Sequence, residues 1–251
     1  MTRDAGFQEE KYEGLYLDIT WTKKQLLELV NKRIQALVRD QYTKAQVTYR
    51  DILVDRIQPT GQPAIEAILE RTMMRPREVI TFFNVCLRHA VGHPMITHEI
   101  LYQAEGDYSD MRLRSLGDEW YGDYPSLTEH TKVLRKMPSE FQLESLDLDD
   151  FCLGLAVRQD EWPQEWYKDP LCQLALSRAN DEVQAQSVRK EIAKAFYETG
   201  ILGLKCASSA APVWSFETES VIPPGEIDDQ CRAYVHPAFY RALAIRPPGS
   251  G

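Results

Sequence analysis

Two arginines flank a proline at Arg75-Pro76-Arg77, and the apolar run VITFF follows one residue later. Proline suits the first turn of a helix, because the N–H it lacks would be unpaired there anyway. Cations at this end of a helix are disfavoured by the macrodipole. The same end, with its free N–H donors and two guanidinium forks, suits a bound anion such as a phosphate. The plainer reading pairs Arg75 and Arg77 with the nearby carboxylates Glu70 and Glu78.

Other groupings offer less. His89 and His93 have i,i+4 spacing, with His98 close behind, and two histidines on one helical face are compatible with zinc. Gly92 and Pro94 interrupt that helix, however, and no neighbouring cysteine or acid has standard ligand spacing. Asp147, Asp149 and Asp150 form a short acidic run without an EF-hand pattern. They read equally well as helix-start acids favoured by the dipole. Trp162, Trp166 and Tyr167 suit base stacking or one core-facing helix side. The chain contains no GxxxxGK[ST] loop, no GxGxxG after a strand, no HExxH and no GxSxG.

These residues sit in a chain of 251 residues with 43% hydrophobic and 27% charged side chains. That composition is ordinary for a globular protein and excludes wholesale disorder and collagen-like repeats. No apolar run is long enough to cross a membrane, and no signal peptide is recognisable, so a cytoplasmic protein is expected. Five cysteines without a CxxC pair read as reduced, buried thiols. The net charge of −9 is unevenly spread. Residues 1–100 carry 14 basic and 13 acidic side chains, residues 101–251 carry 15 and 25. An acidic C-terminal half is a poor match for a nucleic-acid backbone.

The elements that must position these groups are mainly helical. After a polar lead-in over 1–19, Thr22 and Gln25 have capping-box spacing. Leu26, Val30 and Ile34 then recur at helical period. Further helices are expected over 63–73, from Pro76 to about Gly92, and from the capping residue Thr97 towards Trp120. Ser126 and Glu129 form a second capping box. Residues 20–138 thus read as a helical, lid-like domain. Residues 139–245 add three helices, near 145–157, 166–178 and 182–200, followed by strand-like runs at 213–217 and 231–236 around a long loop. Three helices followed by a hairpin with a long tip is the order of a winged-helix-like unit. A last short helix over 236–245 and a tail over 246–251 complete the expectation.

The segments LDITWTKKQLLELVNKRI (17–34), RPREVITFFNVCLRHA (75–90), RLRSLGDEWYGDYPSL (112–127), AKAFYETGILGLK (193–205) and YVHPAFYRALAI (234–245) resemble, in order and spacing, the C-terminal region of bacterial P-loop ATPases related to the KAP and STAND NTPases. Some of these are encoded near antiphage defence genes. The resemblance implies a helical lid and a winged helix without the P-loop domain itself. It also implies that Arg75 or Arg77 serves as the lid arginine that reaches the terminal phosphates of a nucleotide. ATP and magnesium would then enter only with a P-loop domain.

The expected function is therefore a non-catalytic regulatory or interaction module, with a P-loop ATPase domain or an adaptor protein as partner. It should carry an exposed apolar patch involving its first helix. The alternatives are a DNA-binding winged helix using residues 182–199, and a metal-dependent hydrolase built on Asp147, Asp149 and Asp150. The first is weakened by three basic against four acidic side chains over residues 181–199.

Overall fold

A computed structural model describes residues 21–39, 46–58, 60–217 and 221–247. The lead-in expected over 1–19 and the last residues of the tail lie outside them. Among the described residues the fold is mainly α, with nine helices and one small antiparallel sheet. None of the helices is long and apolar enough to cross a membrane.

The first core is built by α1 (Lys23–Arg39), α2 (Tyr49–Ile52), α3 (Ala64–Glu70), α4 (Pro76–His89) and the first half of α5 (His98–Glu119). Thr22 starts α1 as its spacing predicts: its N–H donates to Gln25 Oε1 at 2.8 Å, and its hydroxyl accepts from Gln25 N at 3.3 Å. Leu26, Val30 and Ile34 form the stripe that α1 buries. Pro76 occupies the first turn of α4, and Thr97 caps α5 by accepting from Ile100 N. The rings of Phe82 and Tyr108 stack between α4 and α5, their centroids 4.5 Å apart.

The second core gathers α6 (Leu127–His130), α7 (Asp149–Val157), α8 (Pro170–Ala179) and α9 (Ala185–Glu198) around the sheet. That sheet has the order β1-β3-β2, from β1 (Glu140–Gln142), β2 (Leu202–Lys205) and β3 (Arg232–Val235). Ala233 of β3 lies between Phe141 of β1 and Leu204 of β2. The two cores meet along α5, whose Tyr108 belongs to the first and Leu116 to the second. Ser109 fastens the join. Its hydroxyl donates to Ala238 O at 2.7 Å and accepts from Ala242 N at 3.0 Å.

Several local expectations are corrected. The strand ahead of the long loop is β2, not residues 213–217, of which only Val213 forms a bridge, to Leu204. Gly203 lets Trp214 fold down onto β2, where a Cβ would lie 2.6 Å from its ring. The segment 236–245 is a 3-10 turn at Pro237–Phe239 followed by further turns rather than a continuous helix. Ser126 and Glu129 do not form a capping box: Ser126 Oγ meets His130 Nδ1 at 2.9 Å, and Glu129 pairs with Lys132 and Arg158.

The five cysteines are not all thiols. Cys206 and Cys231 are joined in a disulfide, while Cys86, Cys152 and Cys172 are free and buried. The pairing follows from strand register. Lys205 opposes Arg232, so the next residues outward, Cys206 and Cys231, face each other directly, with Cα atoms 4.3 Å apart. A sequence separation of 25 hides this from any spacing rule.

Candidate functional site

The helix begun by Pro76 carries Glu78 in its first turn, and this carboxylate is buried. Three side chains converge on it. Arg112 Nε approaches Oε1 to 3.1 Å, Tyr108 donates its hydroxyl to Oε2 at 3.2 Å, and Arg75 Nη1 lies 3.7 Å from Oε1. Arg112 is itself buried and grips Glu119 with both terminal nitrogens, at 3.1 and 3.3 Å. Its Nε contact is an ion pair without hydrogen-bond alignment. Two guanidiniums and two carboxylates thus balance where the cores meet. Burial raises the Glu78 pKa above the ordinary carboxylate value, and the arginines oppose that shift. Burial first, and then the ionised Glu78 beside it, raise the Tyr108 phenol further still.

This arrangement separates the two candidate arginines. Arg75, the N-cap residue, faces Glu78 at long range and keeps about half of its side chain exposed. Arg77 points to solvent and has no ion partner among the described residues. Both therefore retain donors that an anion at the start of α4 can reach. The buried cation of the junction is Arg112, for which spacing carried no functional signal. Its charge is hidden within the polar run RLRSLGDE, and its partners lie on another helix and two helical turns beyond.

His236 is buried nearby under Trp214, Phe216 and Phe239, with ring centroids 5.1, 5.6 and 6.2 Å away. Its Nδ1 accepts from Ala238 N at 3.1 Å, which leaves the neutral ring's proton on Nε2. Burial, with the positive charges of Arg112, Arg75 and Arg71, pushes its pKa down to about 3.

A groove of about 800 Å³ opens between the first core and the C-terminal segment. Arg71 and Glu105 line it as a largely buried ion pair at 2.7 Å. The Arg241 guanidinium lies 3.8 Å from the Tyr102 ring centroid at its rim.

The remaining candidates disperse. His89 pairs with Asp107 at 2.7 Å, His93 lies in an exposed turn, and His98 Nδ1 accepts from Gln58 N. Asp149 is committed to Arg178, and Asp147 accepts from Asp149 N. Among the described residues, no three His, Cys, Asp or Glu side chains converge to hold a metal. On α9, Arg189 is bound by Asp229 at 2.6 Å and Lys194 lies 3.6 Å from Glu191. Trp162 is core, its Nε1 donating to Leu155 O. The apolar patch expected on the first helix is also displaced. Trp21 and Leu37 are exposed at opposite ends of that segment, whereas Leu153 and Val157 stand out one turn apart on α7.

Residues 24–117, from the start of α1 into the last turn of α5, match the family model of a FunZ-associated C-terminal helical domain. No curated protein matches the chain. No solved structure matches it either. The similarity thus supports a helical domain of the kind found at the C-terminal end of a larger protein.

Proposed function

We propose that this chain is a non-catalytic regulatory or interaction module. Its helical unit would pack on a P-loop (STAND-like) nucleotide-binding domain. The match over residues 24–117 supports the attached-module part of this reading, and the P-loop partner rests on the sequence resemblance alone. A domain described by what it is associated with, and by its C-terminal place, is an attached unit. The second unit, three helices followed by two strands with a long loop between them, is read as winged-helix-like and as a face for protein rather than DNA.

In this reading Arg77, with Arg75 beside it, presents cationic forks at the start of α4 to the terminal phosphates of a nucleotide held mostly by the partner. One or two exposed charge contacts cannot offset the cost of fixing a small ligand, so the isolated module should bind ATP poorly. The test is to co-express the chain with a GxxxxGK[ST]-containing domain encoded in or beside its own reading frame. The complex should co-elute, and Arg77→Ala should lower its ATP turnover by about tenfold, roughly 1.4 kcal/mol of transition-state stabilisation. An intact complex with unchanged turnover would overturn the role of Arg77. Failure of the two to associate would overturn the packing.

A further inference from the structure

The geometry points to the outer face of α7 as a docking surface for a basic amphipathic helix of a partner protein. Cys152 and Leu155 turn the inner side of α7 into the core, where α8 contributes Leu171, Cys172 and Ala175. On the outer side Leu153 and Val157 are 55% and 77% exposed. Four residues apart, they are neighbours on the helix surface and form one short apolar ridge.

Gly154 lies on the same side. Apart from its chain neighbours and the backbone of its own helix, nothing among the described residues comes within 4 Å of where its Cβ would stand. Glycine is disfavoured inside a helix, and the packing of this chain does not require one here. A position without a side chain beside two exposed apolar ones is what close approach by another helix requires, and the Gly154 carbonyl accepts from one side chain, Arg158, through Nε at 3.1 Å. Past the end of α7, Tyr167 is exposed as well, its hydroxyl donating to Gln159 O at 2.7 Å.

Charge identifies the occupant. Asp150 precedes the ridge by one turn, and Asp160, Glu161 and Glu165 follow it, all exposed and without ion pairs among the described residues. The cations nearby are Arg158, already held by Glu129 at 3.1 Å, and the exposed Lys168. The rim is therefore net acidic around an apolar centre. A helix with an apolar stripe and flanking Lys or Arg satisfies both, with the charges steering its approach. The proposal rests on the interaction-module reading. It uses none of the residues at the α4 start, so loss of one leaves the other measurable.

The probe is a synthetic 16-residue Leu/Lys amphipathic helix, with a Leu/Glu helix of the same apolar pattern as control. Anisotropy should show saturable binding of the first alone, weakening at least tenfold from 50 to 300 mM salt. Leu153→Ser with Val157→Ser should weaken it at least tenfold, and so should Asp160→Asn, Glu161→Gln and Glu165→Gln together. Gly154→Ala should raise the Tm, which shows that the fold does not need the glycine. Gly154→Leu, at a Tm no lower than that of the parent, should abolish binding. Equal binding of the Leu/Lys helix to the Leu153/Val157 variant would reduce the effect to unspecific charge and overturn the proposal. So would binding of the Leu/Glu helix, or self-association through this face in sedimentation.

Discussion

Arg112 Nε and Glu78 Oε1 lie 3.1 Å apart, both side chains withdrawn from water where the two cores meet. Removing one partner of a buried pair leaves the other charged and uncompensated, at about 3–5 kcal/mol. Arg112→Met should therefore destabilise the chain by that order in urea unfolding. Burial already raises the Glu78 pKa, and loss of Arg112 raises it further. A carboxyl with a raised folded-state pKa contributes stability at low pH and loses it as pH rises through its range. The penalty of Arg112→Met should consequently be smaller at pH 5 than at pH 8. A pH-independent penalty would show that Arg112 acts through packing alone. In the double variant with Glu78→Gln, the two losses should be less than additive.

His236 predicts the opposite limb for the wild type. Its pKa is pushed from 6.5 to about 3, chiefly by burial. A base with a depressed folded-state pKa is neutral in the fold, while the unfolded chain takes up a proton below its ordinary value. Stability should thus fall as pH drops below about 6.5, by about 2–3 kcal/mol at pH 4.5 if fully expressed. His130, also lowered by burial, acts in the same direction. His236→Asn retains an acceptor for Ala238 N and should flatten part of this acid limb. An unchanged slope in stability against pH would assign the whole effect elsewhere.

The Cys206–Cys231 bridge closes a loop of 25 residues that carries Trp214 and Phe216 onto His236. Loop-closure entropy for that length corresponds to about 3–4 kcal/mol. Cys206→Ser with Cys231→Ser should lower stability by that order, and a dithiol reductant should do the same to the wild type. The three free cysteines are buried, so mass spectrometry after native alkylation should find them unmodified in the oxidised protein.

What was legible in the sequence was local. Thr22 with Gln25 and Thr97 satisfy backbone groups within one turn of themselves, Pro76 brings no N–H to the helix start, and each appears in the fold as its spacing predicts. Ser126 and Glu129 have the same spacing as Thr22 and Gln25. They fail because His130, Lys132 and Arg158 offer them stronger partners, one of which lies 29 residues away. Arg112 and Glu78 are separated by 34 positions, and the outer face of α7 depends on which side of a short helix the second core consumes. The ladder of β2 was hidden because Leu202–Lys205 begins two residues after the left-handed Gly200 that follows α9, and its Gly203 looks like a second helix stop.

That Gly203 is fixed by one contact. A Cβ there would lie 2.6 Å from Trp214 Cε2, with two further ring atoms at 2.8 Å. These are atoms of a rigid ring held between β2 and His236, so the ring cannot simply swing aside. Gly203→Ala should therefore force Trp214 outward and cost about 1–3 kcal/mol, with Phe216 and the bridged loop loosened at the same time. Trp214→Ala alone forfeits its packing on His236. Combined with Gly203→Ala, it removes the clash, so the pair should be less destabilised than the sum of the singles. Additive losses in a double-mutant unfolding cycle would show that the glycine is needed for its backbone and not for the indole above it.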